Sequence, residues 1–141
     1  MLLCGTSMGN ICLFNGQQED MNQIKALNTG QDDEHATCFE TIEPGVAICA
    51  ASSMGKLFRV NLNSKRQIAS IELAASLAMP ITNMQRSGDL NVIVCHPRAI
   101  SILRDWSIVK TIECNLQTPE ECICNFETII PGSEYLVATS Q

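Results

Sequence analysis

The chain has 141 residues and a net charge of −6, with 45% hydrophobic, 17% charged and 4% aromatic residues. That apolar fraction excludes a disordered chain, and an acidic balance without a Lys/Arg cluster excludes a nucleic-acid surface, which needs a row of cations. The longest apolar stretch, Ile68 to Ile81, is broken by Glu72 and falls short of a membrane span, and Met1-Leu2-Leu3-Cys4-Gly5-Thr6-Ser7 lacks the basic start of a signal peptide.

Short runs rich in Val, Ile, Leu, Cys and Phe, parted by Gly, Pro, Asn and Ser, predict strands along the chain. The first is Leu2–Thr6, followed by the turn Ser7-Met8-Gly9, the run Ile11–Phe14 and the run Ile24–Leu27. Next come Thr37–Ile42, Val46–Ser52, Lys56–Val60 and Gln67–Leu73, with turns at Pro44-Gly45, at Ser53-Met54-Gly55 and from Asn61 to Lys65. Leu73–Met79 is the only segment with room for a helical turn, and it falls in a connection. Beyond it, Thr82–Gly88, Val92–Cys95 and Val109–Glu113 continue the pattern, and Phe126–Ile130 and Tyr135–Thr139 end it.

Three internal echoes share one period. Ser7-Met8-Gly9 returns as Ser53-Met54-Gly55, and Phe39-Glu40-Thr41-Ile42-Glu43-Pro44-Gly45 returns as Phe126-Glu127-Thr128-Ile129-Ile130-Pro131-Gly132. Ile68-Ala69-Ser70-Ile71-Glu72 returns as Val109-Lys110-Thr111-Ile112-Glu113. Each period of about 44 residues holds four short runs, the signature of a β-propeller blade. The repeats divide the chain at 2–45, 46–89 and 90–133, with a fourth beginning at 134–141. The first and last runs are both second strands of a repeat. The expected fold is therefore all-β, with antiparallel four-stranded blades of a β-propeller. About three blades are present, and closed rings need roughly four to eight. The propeller is thus expected to be incomplete, completed by further blades in cis or in trans, and the isolated chain to aggregate or self-associate through its uncovered end faces, or to be cut from a longer polypeptide.

The stretch from His35 through Phe39-Glu40-Thr41-Ile42-Glu43-Pro44-Gly45 to Ser52, with Met54-Gly55-Lys56-Leu57-Phe58-Arg59-Val60-Asn61-Leu62, resembles the first three strands of the WD40-repeat family. Gly55-Lys56-Leu57-Phe58-Arg59-Val60-Asn61-Leu62 is also similar to quinoprotein-type repeats, whose blades dock on recurring tryptophans; this chain has only Trp106. At the WD40 family's Trp-Asp position stand Phe14-Asn15, Val60-Asn61 and Leu103-Arg104, and Met8 and Met54 replace its tight-turn Asp. These departures imply that the buried hydrogen-bond network of regular blades is largely absent.

The WD40 resemblance implies a non-catalytic protein–protein interaction scaffold, whose fourth-to-first connections and second-to-third turns share one face. That face would carry Met8, Asp32, Asp33, Glu34, His35, Met54, His96, Arg98, Glu120 and Glu121. Two exposed methionines inside an acidic rim suit a basic or amphipathic protein segment, while simple solvated loops would have the same composition. The alternatives are a quinoprotein-like or hydrolase-type propeller enzyme, or a purely structural piece of a larger propeller. Cys122-Ile123-Cys124 with His35 or His96 fails as a zinc site, because a lone close pair without the usual C-x₂₋₄-C spacing does not supply four ligands. Cys95 beside His96 fails as a nucleophile and base, because neighbours on a strand diverge. Gly5-Thr6-Ser7-Met8-Gly9 lacks the Lys-Ser/Thr of a phosphate loop. No catalytic, metal or cofactor residue is therefore assigned, and no cofactor is expected. Trp106, in the turn Arg104-Asp105-Trp106-Ser107, suits packing against a neighbouring blade or an exposed anchor. The eight cysteines lie mostly in apolar runs, as with Cys12, Cys49 and Cys95, and read as reduced core residues of a cytoplasmic protein.

Overall fold

The computed structural model describes residues 2–14, 21–26, 34–88, 91–128 and 136–140. Within them the chain is all-β, without a helix, and every ladder is antiparallel. The first sheet holds β1 (Leu2–Gly5), β2 (Asn10–Phe14) and β3 (Met21–Ala26). The second is a four-stranded meander of β4 (Ala36–Glu43), β5 (Ala47–Ser52), β6 (Lys56–Leu62) and β7 (Ile68–Ser76). The third repeats it with β8 (Asn83–Ser87), β9 (Asn91–Cys95), β10 (Ala99–Arg104) and β11 (Ser107–Glu113). The last pairs β12 (Ile123–Thr128) with β13 (Leu136–Ser140). The described strands form an open series of sheets.

Face-to-face packing follows from the period-2 alternation of strands. In β5, Ala-Ile-Cys-Ala-Ala-Ser, all six residues are buried because both faces are covered. Ile48 and Ala50 meet Ile11 and Leu13 of the first sheet, together with Phe58 and Val60. Cys49 and Ala51 point the other way, joining Leu57, Met84, Val94 and Leu103 against the third sheet. The same division recurs in β9, where Val94 faces back while Ile93 and Cys95 meet Ile123 and Phe126 of the last sheet. A strand buried on both faces reads as an unbroken apolar run, which is why β5 and β9 carry no charge. Each large side chain so buried contributes roughly 1.5–3 kcal/mol. By contrast β11 is the outermost strand of its sheet, and Ile108 and Val109 stay exposed on it.

The strand boundaries correct the sequence reading: β3 begins at Met21 and β12 at Ile123, each earlier than expected, and β7 runs on past Leu73. Residues Leu73 to Ser76 continue β7, because Leu73 pairs with Phe58, Ala75 with Leu57 and Ser76 with Lys56 across a register shift. The ladder satisfies backbone groups that an isolated helical turn would leave open.

Candidate interaction face

In an antiparallel meander the second-to-third turns and the fourth-to-first connections lie at the same end of the sheets. That end gathers the β1–β2, β5–β6 and β9–β10 turns with the connections into β4, β8 and β12. The repeated Ser-Met-Gly motif builds two of the turns in the same way. Gly9 N donates to Thr6 O and Gly55 N to Ser52 O, each at 3.1 Å. The hydroxyls of Thr6 and Ser52 accept from Asn10 N at 3.2 Å and Lys56 N at 3.1 Å. Each is a three-residue hairpin loop ending in a left-handed glycine, with φ +74° at Gly9 and +83° at Gly55. The apex residues Met8 and Met54 project into solvent, 77% and 46% exposed.

The glycines have a second use, close approach. A Cβ on Gly9 would lie 2.6 Å from Glu34 O, and one on Gly55 would lie 2.3 Å from Met79 O. Each connection is thus laid directly on a methionine turn. Leu77 N donates to Gly55 O at 2.8 Å and Ser53 N to His35 O at 2.9 Å. On the third copy, Ile123 N donates to Pro97 O at 2.7 Å.

Glu34 and His96 correct the expectation of an exposed rim, being 2% and 1% exposed. Glu34 accepts from the Ser52 hydroxyl at 2.5 Å and from Lys56 Nζ at 3.0 Å. Its carbonyl abuts Gly9 while its carboxylate holds both flanks of the Met54 turn, so this one residue ties the two methionine turns together. Burial of the carboxylate is tolerated because a cation and a hydroxyl meet it. His96 lies between Pro80 O, 2.9 Å from Nδ1, and the Ser101 hydroxyl, 3.0 Å from Nε2. A carbonyl only accepts, so Nδ1 carries a proton; in the neutral ring Nε2 then accepts from Ser101, whose hydroxyl also lies 3.2 Å from that of Thr111. The resemblance implied few buried hydrogen bonds in these sheets. Both clusters supply buried hydrogen bonds of their own.

The remaining predicted residues divide by what they touch. Arg98 is exposed yet committed: its Nη1 donates to Thr118 O at 2.9 Å, Pro119 O at 3.2 Å and Glu121 O at 2.9 Å. It clamps the connection into β12. Glu121 is half-buried and takes Gln117 N at 2.6 Å, Glu120 is exposed, and His35 is half-buried. Asp32 and Asp33 lie outside the described residues. The signal that sequence reasoning missed is the hydroxyl of Thr6 and Ser52 ahead of each Ser-Met-Gly.

Cys49 and Cys95 are buried free thiols, and Cys4, Cys12, Cys38, Cys114 and Cys122 are also unbridged. Burial pushes Cys38 up to about 11 and raises Cys49 further. Among the described residues, no three His, Cys, Asp or Glu side chains are grouped to hold a metal ion, and no helix is long and apolar enough to cross a membrane. No family model and no curated protein matches the chain.

Proposed function

We propose that the chain is a WD40-like β-propeller segment of about three blades, a non-catalytic scaffold that binds a basic or amphipathic protein segment on its loop face. One observation carries the reading: Met8 and Met54, at equivalent turns of successive sheets, are exposed while the backbone beneath them is fixed by Gly9, Gly55 and Glu34. Methionine is flexible and polarisable, suited to adaptable apolar contact. Holding it on ordered turns lowers the entropy lost on binding. Glu120 supplies an exposed carboxylate at the same end of the sheets. On this reading the protein works in the cytoplasm, and further blades flank the segment.

The test is a display library of basic amphipathic segments, with binding measured for selected members. Met8→Asp combined with Met54→Asp should abolish binding. Val46→Asp, at an exposed position of the opposite end, should leave it intact. Binding that ignores the methionine changes refutes the reading.

A further inference from the structure

A cleft of about 200 Å³ opens between the second and third sheets at the end remote from the loop face. It is smaller than the roughly 300–1,000 Å³ of sites for drug-sized ligands, and suits a single long side chain. Its accessible apolar lining includes Ile42 of β4, Val92 of β9 and Trp106. Trp106 occupies the two-residue turn between β10 and β11, where Arg104 pairs with Ser107. Asp105 and Trp106 both have left-handed backbones, φ +48° and +64°. Such turns favour Asn-Gly, and a bulky residue is disfavoured in that region. The indole is thus held at the cleft against a backbone preference, a kind of strain that concentrates at binding sites.

The charges of the cleft are unevenly spent. Arg59 Nη2 lies 2.8 Å from Glu43 Oε1 and its Nε 2.9 Å from Asn61 Oδ1, so that cation is engaged by its neighbours. Arg86 turns its Nε to Gly88 O of its own hairpin, at 2.9 Å. Glu40 and Asp105 bring two more carboxylates to the lining. Burial raises Glu40 above the usual carboxylate range, and the backbone and charge of Arg86 offset only part of that. The lining thus sets the carboxylates of Glu40, Glu43 and Asp105 against the guanidiniums of Arg59 and Arg86, and one further cation would balance it.

We propose that this cleft binds an alkylammonium or guanidinium group on an aliphatic stem, as a lysine or arginine side chain of a protein partner presents it. The stem lies on Ile42, Val92 and Trp106, and the cation meets Glu40 and Asp105, with cation–π attraction from the indole. The site is separate from the methionine turns and stands whether or not they bind a partner.

Trp106 is the only tryptophan, so intrinsic fluorescence reads the cleft directly. The probes are Nα-acetyl-lysine amide and agmatine, with Nα,Nε-diacetyl-lysine amide as the uncharged stem. The expected result is a saturable change in emission with a Kd on the order of 1 mM for both cations. Glu40→Gln should weaken it about tenfold, the loss of one charge-assisted contact. The diacetyl compound should give no saturation. A linear response to both cations, or equal affinity for the diacetyl compound, overturns the proposal. So does an unchanged Kd in a folded Glu40→Gln variant. If that variant fails to fold, Asp105→Asn takes its place, and the comparison of charged and uncharged probes on the unaltered protein decides independently.

Discussion

Replacing Gly55 by alanine would set a methyl group against the backbone of the next connection. At φ +83° the alanine pays about 1–2 kcal/mol for the left-handed conformation alone. Its Cβ would also lie 2.3 Å from Met79 O, 2.9 Å from Met79 C and 3.0 Å from Met79 N, all short of ordinary contact at 3.4–4 Å. Those atoms are main chain and cannot swing aside. Relief requires moving the connection, which weakens the 2.8 Å bond from Leu77 N to Gly55 O and disturbs the buried Leu77 and Ile81. A lost hydrogen bond adds about 1 kcal/mol, and partial unpacking of two large side chains adds about 1–2 more. The expected destabilisation is about 3–5 kcal/mol. Gly45→Ala provides the control, since its φ of +73° is similar but nothing lies within 4 Å of the added Cβ. It should cost about 1–2 kcal/mol, the backbone preference alone. Urea unfolding followed by Trp106 emission measures both. Equal losses in the two variants would refute the argument that Gly55 is required by close approach.

Lys56→Met removes the cation that faces the buried Glu34 carboxylate and should cost about 3 kcal/mol by urea midpoint. Arg59→Met breaks the exposed pair with Glu43 and should cost under about 1 kcal/mol. Ser101→Ala removes the donor to His96 Nε2 inside the core and should cost about 1–3 kcal/mol, with an altered His96 ring signal in NMR. Because Cys38 is raised from 9.0 to about 11, the unfolded chain loses that proton first, and stability falls by about 2–3 kcal/mol as pH rises between those values. Cys38→Ala should reduce that slope in urea midpoints measured against pH. Glu40 is also raised, so its contribution is present below the ordinary carboxylate value and is lost as pH rises through the raised one; Glu40→Gln should flatten that acidic segment of the same profile.

The alternation of apolar runs and turn residues made the strands legible, and the spacing of the Ser-Met-Gly echo made their register legible too. β5 and β9 were visible as unbroken apolar runs because both their faces are covered. The role of Glu34 was not visible. In the string Asp32-Asp33-Glu34-His35 it reads as one more solvated acid, and the groups that reverse that reading, Ser52 and Lys56, come 18 and 22 residues later. His96 was hidden for the same reason, because its partners Pro80 and Ser101 belong to different elements. The cleft beside Trp106 was not legible, because its walls come from two sheets and no local pattern records their separation.

The two buried clusters also explain how these loops hold their shape. A second-to-third turn needs an anchor on the neighbouring connection, and several chemistries meet that need. The first two turns use a left-handed glycine to bring the connection into contact, and Glu34 joins them through a carboxylate. The third uses an imidazole that spans from the connection to β10. What the three share is that polar groups are consumed inward, leaving methionine at the apex of the first two turns. If those apices are the recognition surface, then changes at Glu34 should act on binding through the positions of both methionines at once. Changes at Met8 or Met54 should act on each contact alone. Double-mutant cycles distinguish the cases: coupling of about 1 kcal/mol between Glu34→Gln and each methionine change supports a shared brace, and additivity refutes it.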